Sequence, residues 1–149
     1  ACPCANNSSV GAHEGCLNGL NKGGMLVAQG SMSLANDTIE LQAEQMPNGP
    51  ALYFQGTIRV NGGAGNVFGD GLRCVGGAVI RLGIVIAAGN ASTYPTGATP
   101  PNNTPISQMG LITAGDVRNY QLWYRDSDPV FCSANVFNLT NGIQVTWQP

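Results

Sequence analysis

Apolar and polar residues alternate with a period of two along most of this chain. Leu52, Phe54, Gly56, Ile58 and Val60 share one parity, and Tyr53, Gln55, Thr57 and Arg59 share the other. Ala78, Ile80, Leu82, Ile84 and Ile86 form a second apolar set. Ile39, Leu41 and Ala43 oppose Thr38, Glu40, Gln42 and Glu44. Leu26, Ala28, Gly30, Met32 and Leu34 alternate with Val27, Gln29, Ser31 and Ser33. Tyr120, Leu122 and Tyr124 alternate with Gln121, Trp123 and Arg125, and Ile143, Val145 and Trp147 close the chain in the same manner. This pattern predicts strands with one dry and one wet face. It places Leu52, Phe54, Ile84 and Ile86 inward, and Tyr53 and Trp123 outward.

Turn residues punctuate the strands at Asn48-Gly49-Pro50, Asn61-Gly62-Gly63, Asp70-Gly71, Gly89-Asn90 and Asn141-Gly142. The chain holds 21 glycines, too many for long helices, where each costs about 1 kcal/mol relative to alanine. The expected fold is all-β: a disulfide-stapled antiparallel β-sandwich, Ig-like or jelly-roll, with an irregular N-terminal segment. Residues 1–23 are expected to form a Cys-rich segment able to act as an assembly arm, and residues 24–149 the sandwich domain. A second irregular stretch, 89–105, carries Pro95, Pro100, Pro101 and Pro105 and reads as a long loop, for binding or simply mobile.

Composition changes the picture in one direction. Charged residues make up 9% of the 149, against about 25% in ordinary domains, so neutral polar groups must keep the surface wet. Lys22, Arg59, Arg73, Arg81, Arg118 and Arg125 are scattered singly, without the clustered basic face that nucleic acid requires. No apolar run reaches the roughly 20 residues of a membrane helix. The start at Ala1 fits a cleaved leader or excision from a larger precursor.

Five cysteines in so uncharged a chain point to an oxidising, extracellular or cell-surface compartment. Cys2-Pro3-Cys4 does not readily bridge to itself. One of that pair is expected to reach Cys16, with Cys4 assigned to it, while Cys74 and Cys132 join distant strands. Cys2 is then the spare thiol, free or bonded to another subunit. A metal site is the rival reading, but the paired spacing that zinc prefers is missing.

Catalysis finds little support. His13 is the single histidine, and no serine lies in a G-x-S-x-G setting. Eight acids supply carboxylate pairs by chance alone, so a glycosidase signal is empty. Asp126 and Asp128, in Arg125-Asp126-Ser127-Asp128-Pro129, are weak Ca²⁺ candidates beside the favoured reading of an aspartate-capped turn. No catalytic residue and no cofactor are assigned. Asn6, Asn7, Asn36, Asn90, Asn102 and Asn138 each begin a glycosylation sequon, with Asn138 expected on a wet face. Tyr53, Trp123 and Tyr94 are candidates for a ligand platform, because flat aromatics suit the apolar face of a sugar ring.

Several stretches carry a resemblance when taken together. They are Cys-Pro-Cys-Ala-Asn-Asn-Ser at 2–8, His-Glu-Gly-Cys-Leu-Asn at 13–18, Leu-Tyr-Phe-Gln-Gly at 52–56 and Phe-Gly-Asp-Gly-Leu-Arg-Cys-Val-Gly-Gly at 68–77. To these are added Tyr-Gln-Leu-Trp-Tyr-Arg-Asp at 120–126 and Phe-Asn-Leu-Thr-Asn-Gly at 137–142. Over nearly its whole length the chain resembles an uncharacterised module found at the C-terminal ends of large secreted proteins of planctomycete-type bacteria. The resemblance implies an exported, β-rich accessory module and carries over no catalytic residue.

The function expected from these readings is non-catalytic: an extracellular structural or assembly module. It would be a repeating subunit of a filament or surface layer, associating through strand addition or disulfides with itself or with other extracellular proteins. The alternative is a carbohydrate-binding module, with or without Ca²⁺.

Overall fold

The computed structural model describes every residue except Pro129, Ser133 and Ala134. The alternating segments become strands β1 (Met25–Gln29), β2 (Met32–Ser33), β3 (Asn36–Asp37), β4 (Glu40–Glu44), β5 (Gly49–Gly56), β6 (Ile58–Arg59) and β7 (Asn66–Phe68). They continue as β8 (Gly71–Arg73), β9 (Val75–Gly76), β10 (Ile80–Ala87), β11 (Ala91–Tyr94), β12 (Val117–Arg125), β13 (Phe137–Leu139) and β14 (Ile143–Thr146). Among the described residues the one α-helical piece is the single turn Ile106–Met109.

Two antiparallel sheets form the body. One is three-stranded, in the order β1-β4-β11. The other is five-stranded, in the order β10-β5-β12-β13, with β14 also on β12. The nine-residue β12 is long enough to hold both: Val117–Tyr120 pairs with β14, and Trp123–Arg125 with β13. Three short ribbons, β2-β3, β6-β9 and β7-β8, complete the chain. Leu26, Leu41 and Ala43 of the small sheet pack against Tyr53, Leu82, Tyr120, Leu122 and Tyr124 of the large one in a single core. The fold is therefore an all-β, disulfide-stapled sandwich.

Alternation marked most strands but neither their ends nor always the buried side: the stretch 26–34 breaks at Gly30 (φ +90°) into β1 and the separate ribbon strand β2, and 52–60 breaks after Gly56 into β5 and β6. On β5 the assignment is reversed. Ala51 and Tyr53 face the core, and Tyr53 is fully buried, while Leu52 and Phe54 point to the outer face. Both parities of β5 carry large apolar groups, so the pattern has no polar side to settle which is wet. On β10 a bulge decides the matter. Arg81 pairs with Phe54, but Gly83 pairs with Tyr53, so Leu82 is an extra residue and the parity flips after it. Leu82 and Ala87 are buried, whereas Ile84 and Ile86 are 56% and 66% exposed. Gly83 sits at this bulge because a Cβ there would meet the Tyr94 ring at 2.6 Å.

Several polar groups of the core are paired, while the buried Gln55 Oε1 has no hydrogen-bond partner among the described residues. Tyr53 and Tyr94 stack with centroids 5.5 Å apart, and the Tyr53 hydroxyl lies 2.8 Å from Ser92 Oγ. Trp147 Nε1 donates to the Tyr120 hydroxyl at 2.9 Å. Burial pushes Tyr53 and Tyr94 up to about 12, the Ser92 hydrogen bond offsetting part of the shift at Tyr53.

The N-terminal segment is not a free arm. Cys2 bridges Cys16, and Cys4 bridges Cys132. Asparagine amides supply further attachments, since each carries donors and an acceptor for buried backbone. Asn6 Nδ2 donates to Leu17 O at 2.7 Å and Asp70 O at 2.9 Å. Asn138 Nδ2 donates to Leu17 O at 2.9 Å, and Leu139 N donates to its Oδ1. Asn18 Nδ2 reaches Gln45 O at 2.7 Å and the Tyr124 hydroxyl at 3.1 Å.

Two of the edge strands, β10 and β1, are partly occupied as well. Residues 89–105 do not form a free loop. They contain β11, and then cover the edge of β10, where Asn102 Nδ2 donates to Ile84 O at 2.8 Å and the Tyr94 hydroxyl to Leu82 O at 3.1 Å. On β1, Asn141 accepts from Leu26 N at 2.7 Å and donates to Leu26 O at 3.0 Å, as a neighbouring strand would. Covered edges of this kind resist strand addition.

Candidate interaction surface

The outer face of the large sheet is built by the reversed parity of β5 and the flipped parity of β10. Leu52 pairs with both Ile84 and Trp123, so the side chains of these three neighbouring strands stand together. Beyond Trp123, β13 brings Leu139 opposite it and Phe137 opposite Arg125. The ribbon β7-β8 rims this face with Phe68, whose ring lies 5.0 Å from that of Phe137. Phe137 in turn lies 5.5 Å from Trp123. Gly69 makes this aromatic run feasible: its φ is +63°, and a Cβ there would collide with the Phe137 ring.

Between these groups runs a groove of 370 Å³, lined by Leu52, Phe54, Phe68, Val79 and Trp123 and by the guanidiniums of Arg73 and Arg81. Arg125 sits over the Trp123 ring at 5.9 Å. Two of the chain's six cations thus line one apolar groove, a third stands over its Trp123, and among the described residues no acid lines it. Arg73 Nε is held by Val75 O at 3.0 Å. Among the described residues, the one ion pair joins Arg118 to Asp116, so Arg81 and Arg125 keep their charge available. Phe68 and Val79 are 43% and 39% exposed.

The outer face of the small sheet is different. Leu26, Leu41 and Ala43 point inward, leaving Val27, Gln29, Glu40, Gln42, Glu44 and Thr93 outward. Glu40 and Glu44 are exposed, with Gln42 Nε2 donating to Glu40 at 3.3 Å. Lys22 borders this face, in a hollow shared with Glu44.

No protein family, curated protein or solved structure matches the chain.

Of the expected platform, Trp123 alone lies at the surface. Tyr53 and Tyr94 belong to the core, because β5 turns its other side outward. The cysteine assignment also needs correction. Cys2, not Cys4, partners Cys16; Cys4, not Cys74, partners Cys132; and Cys74 rather than Cys2 is the free thiol. Cys74 follows β8 and is half-buried, its Sγ donating to Leu72 O at 3.7 Å. Burial raises its pKa, and hydrogen bonds involving Gly142 and Gln121 offset part of the shift. It shares a 290 Å³ hollow with the Cys2–Cys16 bridge.

Asp126 and Asp128 are engaged with backbone. Gly19 N donates to both Asp126 carboxylate oxygens at 3.1 Å, and Val130 N to Asp128 Oδ1 at 3.0 Å. Burial raises the Asp126 pKa, the Gly19 contact opposes this, and the neighbouring charges of Asp70 and Asp128 add to it. Among the described residues, Cys4, Asp70 and Cys132 form the one three-ligand group, and its two sulfurs are bonded to each other. Asn138, expected on a wet face, is fully buried beneath the N-terminal segment, so a glycan cannot be carried there in this fold. His13 is exposed in a loop.

The sequence reading missed Phe68, Arg73, Arg81, Arg125, Ile84 and Ile86 as a surface. Their one-dimensional spacing gives no sign of it, because they come from four strands and a bulge.

Proposed function

We propose that this protein is a non-catalytic extracellular assembly module that works by touching other protein surfaces through the outer face of its large sheet. One observation carries the reading. An aromatic and aliphatic face, with Ile84 and Ile86 more than half exposed, lies beside arginines that make no ion pair among the described residues. Exposed apolar patches of this kind mark association sites, and tryptophan and arginine are the side chains that most often anchor them. The extracellular setting is supported by two disulfides in a chain of five cysteines, and by the resemblance to exported bacterial modules.

The route proposed here is a side-chain face rather than the strand addition or disulfide link expected from the sequence. The tethered N-terminal segment and covered edges argue against strand addition. Docking by a side-chain face remains. The carbohydrate reading rests now on Trp123 alone of the three aromatics, because Tyr53 and Tyr94 are fully buried.

Sedimentation velocity over a wide concentration range tests the proposal. Association is expected, and Trp123→Ala together with Ile86→Ser should weaken it at least tenfold while circular dichroism stays unchanged. A wild-type protein that stays monomeric at the highest attainable concentration overturns it.

A further inference from the structure

We infer that the partner of the groove is a second copy of this chain, docked head to tail through the acidic outer face of its β1-β4-β11 sheet. This inference rests on the assembly reading above and names its partner.

The two sheets share one core, so their outer faces look in opposite directions. One face carries Arg73, Arg81 and Arg125 around an apolar groove. The other carries Glu40 and Glu44 with Val27 beside Gln42, and Val27 is 37% exposed. Each face supplies what the other lacks. The guanidiniums need anionic acceptors, and the groove offers apolar surface for Val27. Two different faces on opposite sides make a heterologous contact. Such a contact leaves one free groove and one free acidic face on every complex, so stacking continues into an open polymer rather than closing as a dimer.

Size sets the strength. Three strands about 4.8 Å apart, two of five residues and one of four, at about 3.4 Å per residue present a patch of at most about 14 by 17 Å. That is well under the roughly 800 Å² per partner of a stable complex. The contact is therefore weak and reversible, and it depends on crowding at a surface. Its charge component is screened by salt, with a Debye length of about 10 Å at 0.1 M. Lys22, beside Glu44, reduces the negative potential of the acidic face without cancelling it.

The test uses two neutralised proteins altered at exposed positions. One carries Arg81→Gln with Arg125→Gln, and the other Glu40→Gln with Glu44→Gln. In sedimentation velocity the wild type should grow in mass with concentration beyond its 15.4 kDa monomer, and high salt should reverse this. Each variant alone should associate at least tenfold more weakly. Their equimolar mixture should recover association but stop at the dimer, because each protein keeps one working face. Wild-type-like association by the glutamate variant would refute head-to-tail docking while leaving the groove as the contact surface. A strictly monomeric wild type would remove both readings.

Discussion

Removing each disulfide in turn gives a quantitative check on the cross-links that hold the N-terminal segment. Cys4–Cys132 closes a loop with a sequence separation of 128, and Cys2–Cys16 one of 14. On the chain-entropy estimate, the long loop restrains the unfolded state by about 5 kcal/mol and the short one by about 3 kcal/mol. The expected gap of about 2 kcal/mol comes from loop length alone. Against a typical net stability of about 5–15 kcal/mol, loss of the long bridge is severe and loss of the short one is survivable. The comparison uses Cys4→Ser with Cys132→Ser against Cys2→Ser with Cys16→Ser, each in a Cys74→Ser background to prevent reshuffling. Equilibrium urea unfolding supplies both free energies and the slopes. Equal costs, or a larger cost for the short bridge, would refute the entropic account. A peptide map of the untreated protein that finds Cys74 in a bridge would refute the pairing itself.

Two more outcomes follow from the interior. The pKa of Tyr53 is raised from 10.0 to about 12, so its burial favours the neutral phenol. That contribution is complete below about pH 10 and is lost as pH rises toward 12, a fall of about 3 kcal/mol for two units at 1.36 kcal/mol each. Urea titrations between pH 9 and 12 (approximate limits set by these values) should show the decline, and Tyr53→Phe should make it shallower; an identical slope in the variant would sink the argument. Asn138→Ala removes the donor to Leu17 O and the acceptor of Leu139 N, with an expected cost of about 2–4 kcal/mol. Limited proteolysis should then cut within residues 1–23 well before the rest of the chain, and unchanged resistance there would count against the role given to this amide.

What the sequence determined by itself was local. Alternation over residues 26–34, 39–43, 51–60, 78–86 and 120–125 marked strands, and the Asn-Gly and Asp-Gly pairs marked breaks, because side-chain period and turn conformation depend on near neighbours. The inward placement of Ile39, Leu41 and Ala43 was legible for the same reason: their opposite parity is wholly polar. The cysteine count told that one thiol would be spare, but not which. Tertiary structure decided the rest. Leu52 and Tyr53 offered two apolar faces, and only the second sheet showed which is covered. One extra residue at Leu82 turned Ile84 and Ile86 outward, and a bulge depends on the partner strand's register. Cys4 meets Cys132 because the N-terminal segment folds back over the end of β12 and β13, held by amides far apart in sequence. The groove and the acidic face exist for the same physical reason. They are made by strands that are distant along the chain and adjacent only after the sheets have formed.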